Sequence, residues 1–242
     1  MSIINNALFI VLPYVALAIF LLGTIYRYKN SGFQYSSLSS QFLEGKKLFW
    51  GTLPFHFGLL IILIGHFIAF IFPSGLLAWN SEPIRLIILE GTGIIFGLCS
   101  LIGIIALLWR RLSDVRVKIV SNKMDIIIEM LILFQIILGV FVALSYRWGS
   151  SWFASDLSPY LWSILLFNPK ISLVVALPLF VQLHIVGAFF IILIFPFTRL
   201  VHVLVAPFHY IFRPYQQVIW YWDRKKIRKS TTVWTHTRPN NN

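Results

Sequence analysis

Cysteine and acidic side chains are scarce in this sequence. Its 242 residues include one cysteine, Cys99, and eight Asp or Glu against 20 Lys or Arg, and charged residues make up only 12% of the chain. A single cysteine excludes a disulfide framework, a Cys-x-x-Cys-His attachment site and an iron–sulfur cluster held by the chain's own cysteines. A soluble domain carries about twice this share of charged residues. The low charge therefore argues against a soluble protein.

Long apolar runs take the place of the missing charge. The chain is 58% hydrophobic, its mean hydropathy is +0.82, and five runs approach the roughly 20 residues that cross a bilayer as a helix. These runs occupy residues 5–26, 54–72, 86–109, 125–146 and 173–197. They predict an all-α membrane protein, with a five-helix transmembrane bundle over residues 1–215 and a basic, aromatic tail over residues 216–242.

The distribution of basic residues predicts the orientation in the membrane. The loop between the first two runs contains four Lys or Arg, the loop between the third and fourth contains five, and the residues after the fifth run, including the tail, contain eight, which is 17 of the 20 in all. By the positive-inside rule the N-terminus lies outside and the tail is cytoplasmic. The net charge of +12 is then a signal of topology in the cell membrane, and no nucleic-acid partner is expected.

The tail contains the mixed aromatic and basic segment VIWYWDRKKIRK at residues 218–229. Aromatic and basic side chains together are typical of an anchor on anionic lipid. The same segment would also serve as a docking arm for a cytoplasmic partner subunit, and the sequence leaves the two interpretations open.

Four of the six histidines lie in or beside the second and fifth runs, namely His56, His66, His184 and His202. On a helix, His56 and His66 are separated by about 15 Å of rise and about 80° of rotation, and His184 and His202 by about 27 Å with almost no rotation. The two helices run in opposite directions. Therefore His66 and His184 are predicted at the outer side, and His56 and His202 at the inner side.

Two neutral imidazoles at matching depth are what bis-histidine haem b needs, because the iron takes one axial nitrogen from either side. The two spacings differ by about 12 Å, and a kink at Pro196 is expected to absorb part of that difference. Gly58, Gly65 and Gly187 are expected to let a flat macrocycle approach the backbone. The alternative is that the histidines hydrogen-bond across helices or line a proton path.

Three segments carry a family resemblance: RYKNSGFQYSSLSSQFLE at residues 27–44, FHFGLLIILIGHF at 55–67 and FPFTRLVHVLVAPFHY at 195–210. Over roughly residues 10–215 the chain resembles the cytochrome b (gamma) subunit of membrane-bound respiratory nitrate reductases. The resemblance implies two haem b groups, the outer one held by His66 and His184 and the inner one by His56 and His202. It thus implies the same pairs as the spacing.

The resemblance also implies a function. Quinol is expected to be oxidised near the outer haem, with electrons passing inward to an iron–sulfur (beta) subunit and a molybdenum catalytic (alpha) subunit. Two alternatives stay open: the same cytochrome b in a related molybdoenzyme such as a nitrite oxidoreductase, with reversed electron flow, or a non-redox membrane anchor or transporter.

Two residues near the outer end of the third run are candidates for the quinol site. Arg85 stands where the family has a lysine linked to quinol, and arginine is not a conservative replacement because its planar fork cannot readily share a proton. Glu90 stands where the family has an apolar residue, and it is a candidate acceptor of a quinol proton. The alternatives are a snorkelling interfacial anchor for Arg85 and an ion pair of Glu90 with Arg85 or Arg147.

At the inner side, Arg110, Arg111 and Arg199 are candidate partners of haem propionates, although the positive-inside rule also predicts basic residues there. Asp125 and Glu129 are expected near the start of the fourth helix, where the helix dipole favours an acid. Residues 147–170, which are rich in Trp and Tyr, are expected to form an outer segment along the membrane interface.

Overall fold

The computed structural model describes residues 3–30 and 46–204, all of them within the compact unit Met1–Val205. Every regular element in these residues is helical. The predicted tail and its segment 218–229 lie outside the described residues, as does most of the motif at 27–44.

Within residues 3–30 and 46–204, five helices are long and apolar enough to cross a membrane. They are α1 (Ile3–Asn30), α2 (Lys46–Ile71), α3 (Pro83–Ser113), α4 (Lys123–Ser145) and α5 (Leu179–Ile194), the last of which continues as a short 3-10 turn to Phe197. The predicted five-helix membrane fold is confirmed. Helices α1, α2 and α3 extend several residues beyond the predicted runs because polar first and last turns do not show in an apolar pattern. Helix α5, by contrast, is shorter than its predicted run, since it begins after Pro178 and ends at Ile194. The expectation of one helix from His184 to His202 is therefore wrong, because His202 lies on a separate 3-10 segment.

Local sequence explains where the helices begin and end. Pro83 occupies the first turn of α3, where its missing N–H costs no hydrogen bond. At the start of α4, the Asn122 side chain accepts from the backbone N–H of Asp125 at 2.8 Å, and the Asp125 carboxylate accepts from the backbone N–H of Asn122 at 3.0 Å. This capping box satisfies two N–H groups that the helix leaves free. The predicted role of Asp125 at this N-terminus is confirmed.

Helices α2 and α3 pack with their backbones close together. A Cβ atom placed on Gly103 would lie 2.4 Å from the backbone nitrogen of Phe55, and one on Gly58 would lie 2.4 Å from Ser100 Oγ. Small residues of this kind let transmembrane helices approach closely. The expectation that Gly58 faces a macrocycle is therefore wrong, since its missing side chain makes room for α3.

The other two glycines expected beside a macrocycle differ from each other. A Cβ on Gly187 would lie 2.3 Å from Gln135 Oε1, so this glycine serves the contact between α5 and α4. Gly65, by contrast, would place its Cβ in open space, with no atom within 4 Å. Of these three glycines, Gly65 alone leaves the space that a flat group would need to approach the backbone.

The predicted outer segment joins the ends of the helices. It folds into the short helices Gly149–Trp152 and Ser158–Leu165 around a π-helical turn, Phe153–Leu157. The Tyr160 hydroxyl donates to the carbonyl of Phe9 at 2.8 Å. Ser158 and Trp162 both donate to the carbonyl of Phe70, at 3.0 and 2.9 Å. The segment is therefore tied to the first turns of α1 and to the last turn of α2.

Candidate functional site

The predicted inner pair of histidines meets in the structure. His56 lies on α2, and His202 lies on a separate 3-10 segment, Arg199–Val203, that follows α5. Their ring centroids are 6.2 Å apart, and the ring planes are inclined at 59°. A first-row metal bonds to an imidazole nitrogen at about 2 Å, so two rings on opposite sides of one iron have centroids about 6 Å apart. The observed separation leaves room for one metal atom between the rings.

The predicted outer pair lies on α2 and α5. His66 meets the ring of Phe153 edge-on at 5.2 Å. His184 packs against α4, where a Cβ on Gly139 would lie 3.0 Å from its Cε1 atom and where Gln135 donates to its carbonyl at 2.8 Å.

Hydrogen bonds set the tautomer of three of these rings. Nδ1 of His56, His66 and His202 lies 2.9, 2.8 and 2.7 Å from the backbone carbonyls of Thr52, Ile62 and Arg199. A carbonyl oxygen only accepts, so Nδ1 must carry the hydrogen, and Nε2 keeps a free lone pair. This is the arrangement in which histidines bind metals. Nδ1 of His184 is buried and has no hydrogen-bond partner in the described part of the chain.

Exposure and partners bear on the alternative of purely structural histidines. The rings of His56, His66 and His202 keep a large accessible area, so no neighbouring side chain covers them completely. An imidazole left against hydrocarbon is costly, and the hydrogen bonds of these three rings go to carbonyls in their own segments instead of across helices. The histidines therefore fit a bound group with a metal centre better than a hydrogen-bonded helix contact.

The number of ligands also fits a haem. Within residues 3–30 and 46–204, no group of three or more His, Cys, Asp and Glu side chains comes together to hold a metal ion. A haem iron takes only two axial ligands from the protein, because the macrocycle supplies its other nitrogens. Paired histidines meet that requirement.

The two candidate quinol residues lie near the start of α3. Arg85 is exposed, and its guanidinium carbon lies 5.3 Å from the centre of the Trp79 ring, a cation–π contact. Glu90 accepts from the backbone N–H of Ser150 at 2.8 Å and from its hydroxyl at 2.6 Å. No ion pair joins Glu90 to Arg85 or Arg147 in the described residues, so the predicted alternative of a structural ion pair is wrong.

A series of hydrogen bonds continues from Glu90 through residues that the sequence analysis did not single out. Asn80 donates to the hydroxyls of Ser150 and Ser151, both at 3.0 Å. Asn80 is only 8% exposed, and its Oδ1 atom has no hydrogen-bond partner among the described residues. Ser150 lies three positions before Phe153, which contacts His66. These hydrogen bonds join the Glu90 carboxylate, through Ser150, to a buried amide whose oxygen has no partner among the described residues.

Two of the predicted inner basic residues, Arg111 and Arg199, already have acidic partners. The Nε atom of Arg111 lies 2.8 Å from both oxygens of Glu129, and the Nε atom of Arg199 lies 2.8 Å from Asp125. Arg110 is buried, at 3% exposure. The expectation that Glu129 only complements a helix dipole is wrong, because it forms a bidentate ion pair. Contact of these arginines with propionates stays a prediction.

Comparison with known proteins gives the family. Residues 5–221 match the family model described as nitrate reductase gamma subunit. The chain belongs to this family. It is 36% identical over 209 residues to the nitrate reductase gamma chain of Bacillus subtilis (strain 168), covering 85% of this chain and 93% of the relative. It is 35% identical over 222 residues to the respiratory nitrate reductase 2 gamma chain of Escherichia coli (strain K12), covering 89% and 96%.

Membership of the gamma subunit family confirms the resemblance drawn from the sequence motifs. It makes the chain a membrane subunit of the nitrate reductase type, in agreement with the five spanning helices. Within this gamma subunit, the sequence analysis missed Asn80, Gln135 and Ser150. A usable signal existed for Gln135, since a polar amide inside an apolar span is a functional candidate by default. Asn80 and Ser150 lie in polar segments, where such residues do not stand out.

Proposed function

We propose that this chain is the di-haem cytochrome b subunit of a membrane-bound respiratory nitrate reductase, an oxidoreductase of the cell membrane. It oxidises quinol near the outer face and delivers the electrons to a cytoplasmic iron–sulfur (beta) subunit and a molybdenum catalytic (alpha) subunit. The observation that carries the proposal is the separation of 6.2 Å between the rings of His56 and His202. The N-terminus is outside and the tail is cytoplasmic, as the positive-inside rule predicts.

In this proposal His66 and His184 hold the outer haem, and His56 and His202 hold the inner haem, each through a neutral imidazole. The haems, when bound, supply one-electron transfer. The protein holds the rings in place, and the carbonyl partners of Nδ1 on His56, His66 and His202 keep Nε2 directed to the metal.

At the quinol end, Arg85 and Glu90 have complementary roles. Oxidation of quinol releases two electrons and two protons, so the site needs a group that takes a proton. The guanidinium of Arg85 stays protonated and only donates hydrogen bonds, which suits it to hold a quinol oxygen. Glu90 is left as the acceptor of one proton, and the second proton passes to water at the outer face. The donors of Ser150 on its Oε1 atom orient the carboxylate and leave Oε2 for the quinol hydroxyl.

At the cytoplasmic end, we propose that Arg110, Arg111 and Arg199 lie within reach of the haem propionates. Arg111 and Arg199 share their charge with Glu129 and Asp125, so a propionate would join an existing ion-pair cluster. Because guanidinium groups carry five donors, one protein carboxylate does not saturate them.

A second candidate function is the equivalent cytochrome b of a related molybdoenzyme, such as a nitrite oxidoreductase with reversed electron flow. The observation that favours it is the altered quinone end, with Arg85 in place of the family's lysine and Glu90 in place of an apolar residue. Quinol-dependent nitrate reduction and nitrite-dependent reduction of an electron acceptor, both measured in the assembled complex, distinguish the two functions.

Reduced-minus-oxidised spectra of the purified complex test the main proposal. We expect b-type bands with two haems per chain, loss of only the outer haem in His66→Ala and loss of only the inner haem in His56→Ala. His209→Ala, which changes a histidine outside both pairs, is the matched control and should keep both haems. The absence of b-type bands would leave the non-redox membrane anchor or transporter as the better interpretation.

A further inference from the structure

The segment that carries His202 is not held by a long helix. Helix α5 ends at Ile194, and after the 3-10 turn Phe195–Phe197 the backbone of Thr198 is extended, with φ −112° and ψ 175°. His202 then lies on a 3-10 segment of five residues, Arg199–Val203. Such a short segment has few hydrogen bonds of its own, because 3-10 geometry is poor and runs are short. Side-chain contacts must therefore fix its position.

Arg199 supplies the contacts that join this segment to α4. Its Nε atom lies 2.8 Å from Asp125 Oδ1, and its NH2 group donates to the carbonyl of Val120 at 3.2 Å. Asp125 is a rigid anchor because it is 3% exposed and because its other oxygen, Oδ2, accepts from the backbone N–H of Asn122 at 3.0 Å. An ion pair that is shielded from water on one side and completed by further hydrogen bonds holds its partners in one geometry.

The same arginine also holds the histidine ring. Its backbone carbonyl accepts a hydrogen bond from Nδ1 of His202 at 2.7 Å. The anchor therefore runs from the first turn of α4, through the guanidinium and backbone of Arg199, to the imidazole that faces His56. Partners of this kind fix the orientation of a metal-binding histidine and tune the metal.

We propose that Asp125 and Arg199 are positioning residues that set the orientation of the His202 ring. The proposal rests on the proposed function, in which His202 is an axial ligand of the inner haem. In this proposal the Asp125–Arg199 pair does not act by binding propionates. The pair acts on the inner haem through its ligand His202.

The test uses Asp125→Asn, Arg199→Gln and the double variant in the assembled complex. The low-spin electron paramagnetic resonance signals report ring orientation at each haem, and a redox titration reports each midpoint potential. We expect all three variants to change the g values of the inner haem in the same way, because each removes the same anchor. The signal of the outer haem should stay unchanged.

Two results would overturn the proposal. One is an unchanged inner signal in all three variants. The other is a purely electrostatic pattern, in which the single variants shift the inner potential in opposite directions, the double variant restores it, and the g values stay constant. Glu129→Gln is the matched control, because it removes the neighbouring ion pair with Arg111 and leaves the bonds of Arg199 to Asp125 and Val120 in place. That neighbouring ion pair reaches the anchor through the long contact of 3.5 Å between Arg111 and Asp125 Oδ2. An identical change in this control would also contradict the proposal.

The haem content of each variant is measured as well, so that a variant that binds its haems poorly still tests the proposal. Loss of the inner haem with the outer haem retained supports the anchor, whereas loss of both together shows that the pair holds the whole bundle and contradicts a local role. His202→Ala separates this inference from the proposed function. If the inner haem survives in His202→Ala, the ligand assignment itself fails, whatever the other variants show.

Discussion

The carboxylate of Glu90 accepts two hydrogen bonds from one residue, Ser150, at 2.8 Å from the backbone N–H and at 2.6 Å from the hydroxyl. We expect Glu90→Gln to slow quinol oxidation by about 10²- to 10⁴-fold, the usual contribution of a positioned general base. Both haem spectra should stay unchanged. Quinol-dependent turnover of the complex measures the effect.

Glu82→Gln is the matched control for Glu90. It removes the same charge just before α3, where Glu82 is exposed and makes no side-chain capping hydrogen bond. Turnover equal to wild type in both variants would reject the proton-acceptor role of Glu90.

Arg85→Ala should lower kcat/KM for quinol by about 10- to 100-fold, which corresponds to the loss of one hydrogen bond to a charged group. Because the guanidinium is exposed and contacts only the Trp79 ring in the described part of the chain, the variant should fold and keep both haems. Arg147→Ala, on the same predicted side, is the control. Unchanged quinol turnover in Arg85→Ala would reduce Arg85 to an interfacial anchor.

Gly139→Ala should disturb the outer haem and spare the inner one. The added Cβ would lie 3.0 Å from Cε1 of His184, which is tighter than ordinary van der Waals contact, so the ring must move. A shift in the outer haem's low-spin signal or potential measures this movement. Gly93→Ala adds the same methyl group in open space on α3 and should change neither haem. Equal spectra in the two variants would contradict the assignment of His184.

Tyr160→Phe should lower the stability of the protein by about 1 kcal/mol, the typical net value of one hydrogen bond. Burial, with a smaller contribution from Tyr14, raises the pKa of Tyr160 above its ordinary value. The neutral phenol is then the form that folding favours. Its contribution to stability is complete below about pH 10 and is lost as the pH rises above that value.

Thermal unfolding of the purified protein between about pH 8 and pH 11 measures this dependence. The fall in melting temperature at high pH should be smaller in Tyr160→Phe than in wild type. Tyr26→Phe, which changes an exposed tyrosine, should follow the wild-type curve. A parallel decline in all three proteins would show that Tyr160 does not cause it.

Apolar length and histidine spacing predicted much of this molecule from local information. The runs that predicted α1 to α5 needed no tertiary contact, because a bilayer of fixed thickness demands about 20 apolar residues per helix. The histidine spacing predicted that His56 meets His202, and their rings are 6.2 Å apart in the structure. Asp125 was predicted at a helix start because the helix dipole favours an acid in the first turn.

Contacts between distant segments could not be predicted in the same way. The sequence analysis named Arg111 and Arg199 as candidate partners of haem propionates. It did not predict the ion pairs that these arginines form with Glu129 and Asp125. It assigned Gly58 to a cofactor, although Ser100 on α3 occupies that side of the glycine.

The sequence by itself determined the number of membrane helices, because hydrophobic length is a property of single segments. It also singled out the four histidines, of which the structure brings His56 and His202 together. Only the tertiary structure decided which carboxylate meets Arg199 and how the ring of His202 is held. These contacts depend on where the chain turns after Pro196 and on how α4 packs beside the turn. The hydrophobic periodicity of either segment does not encode the distance between the two segments.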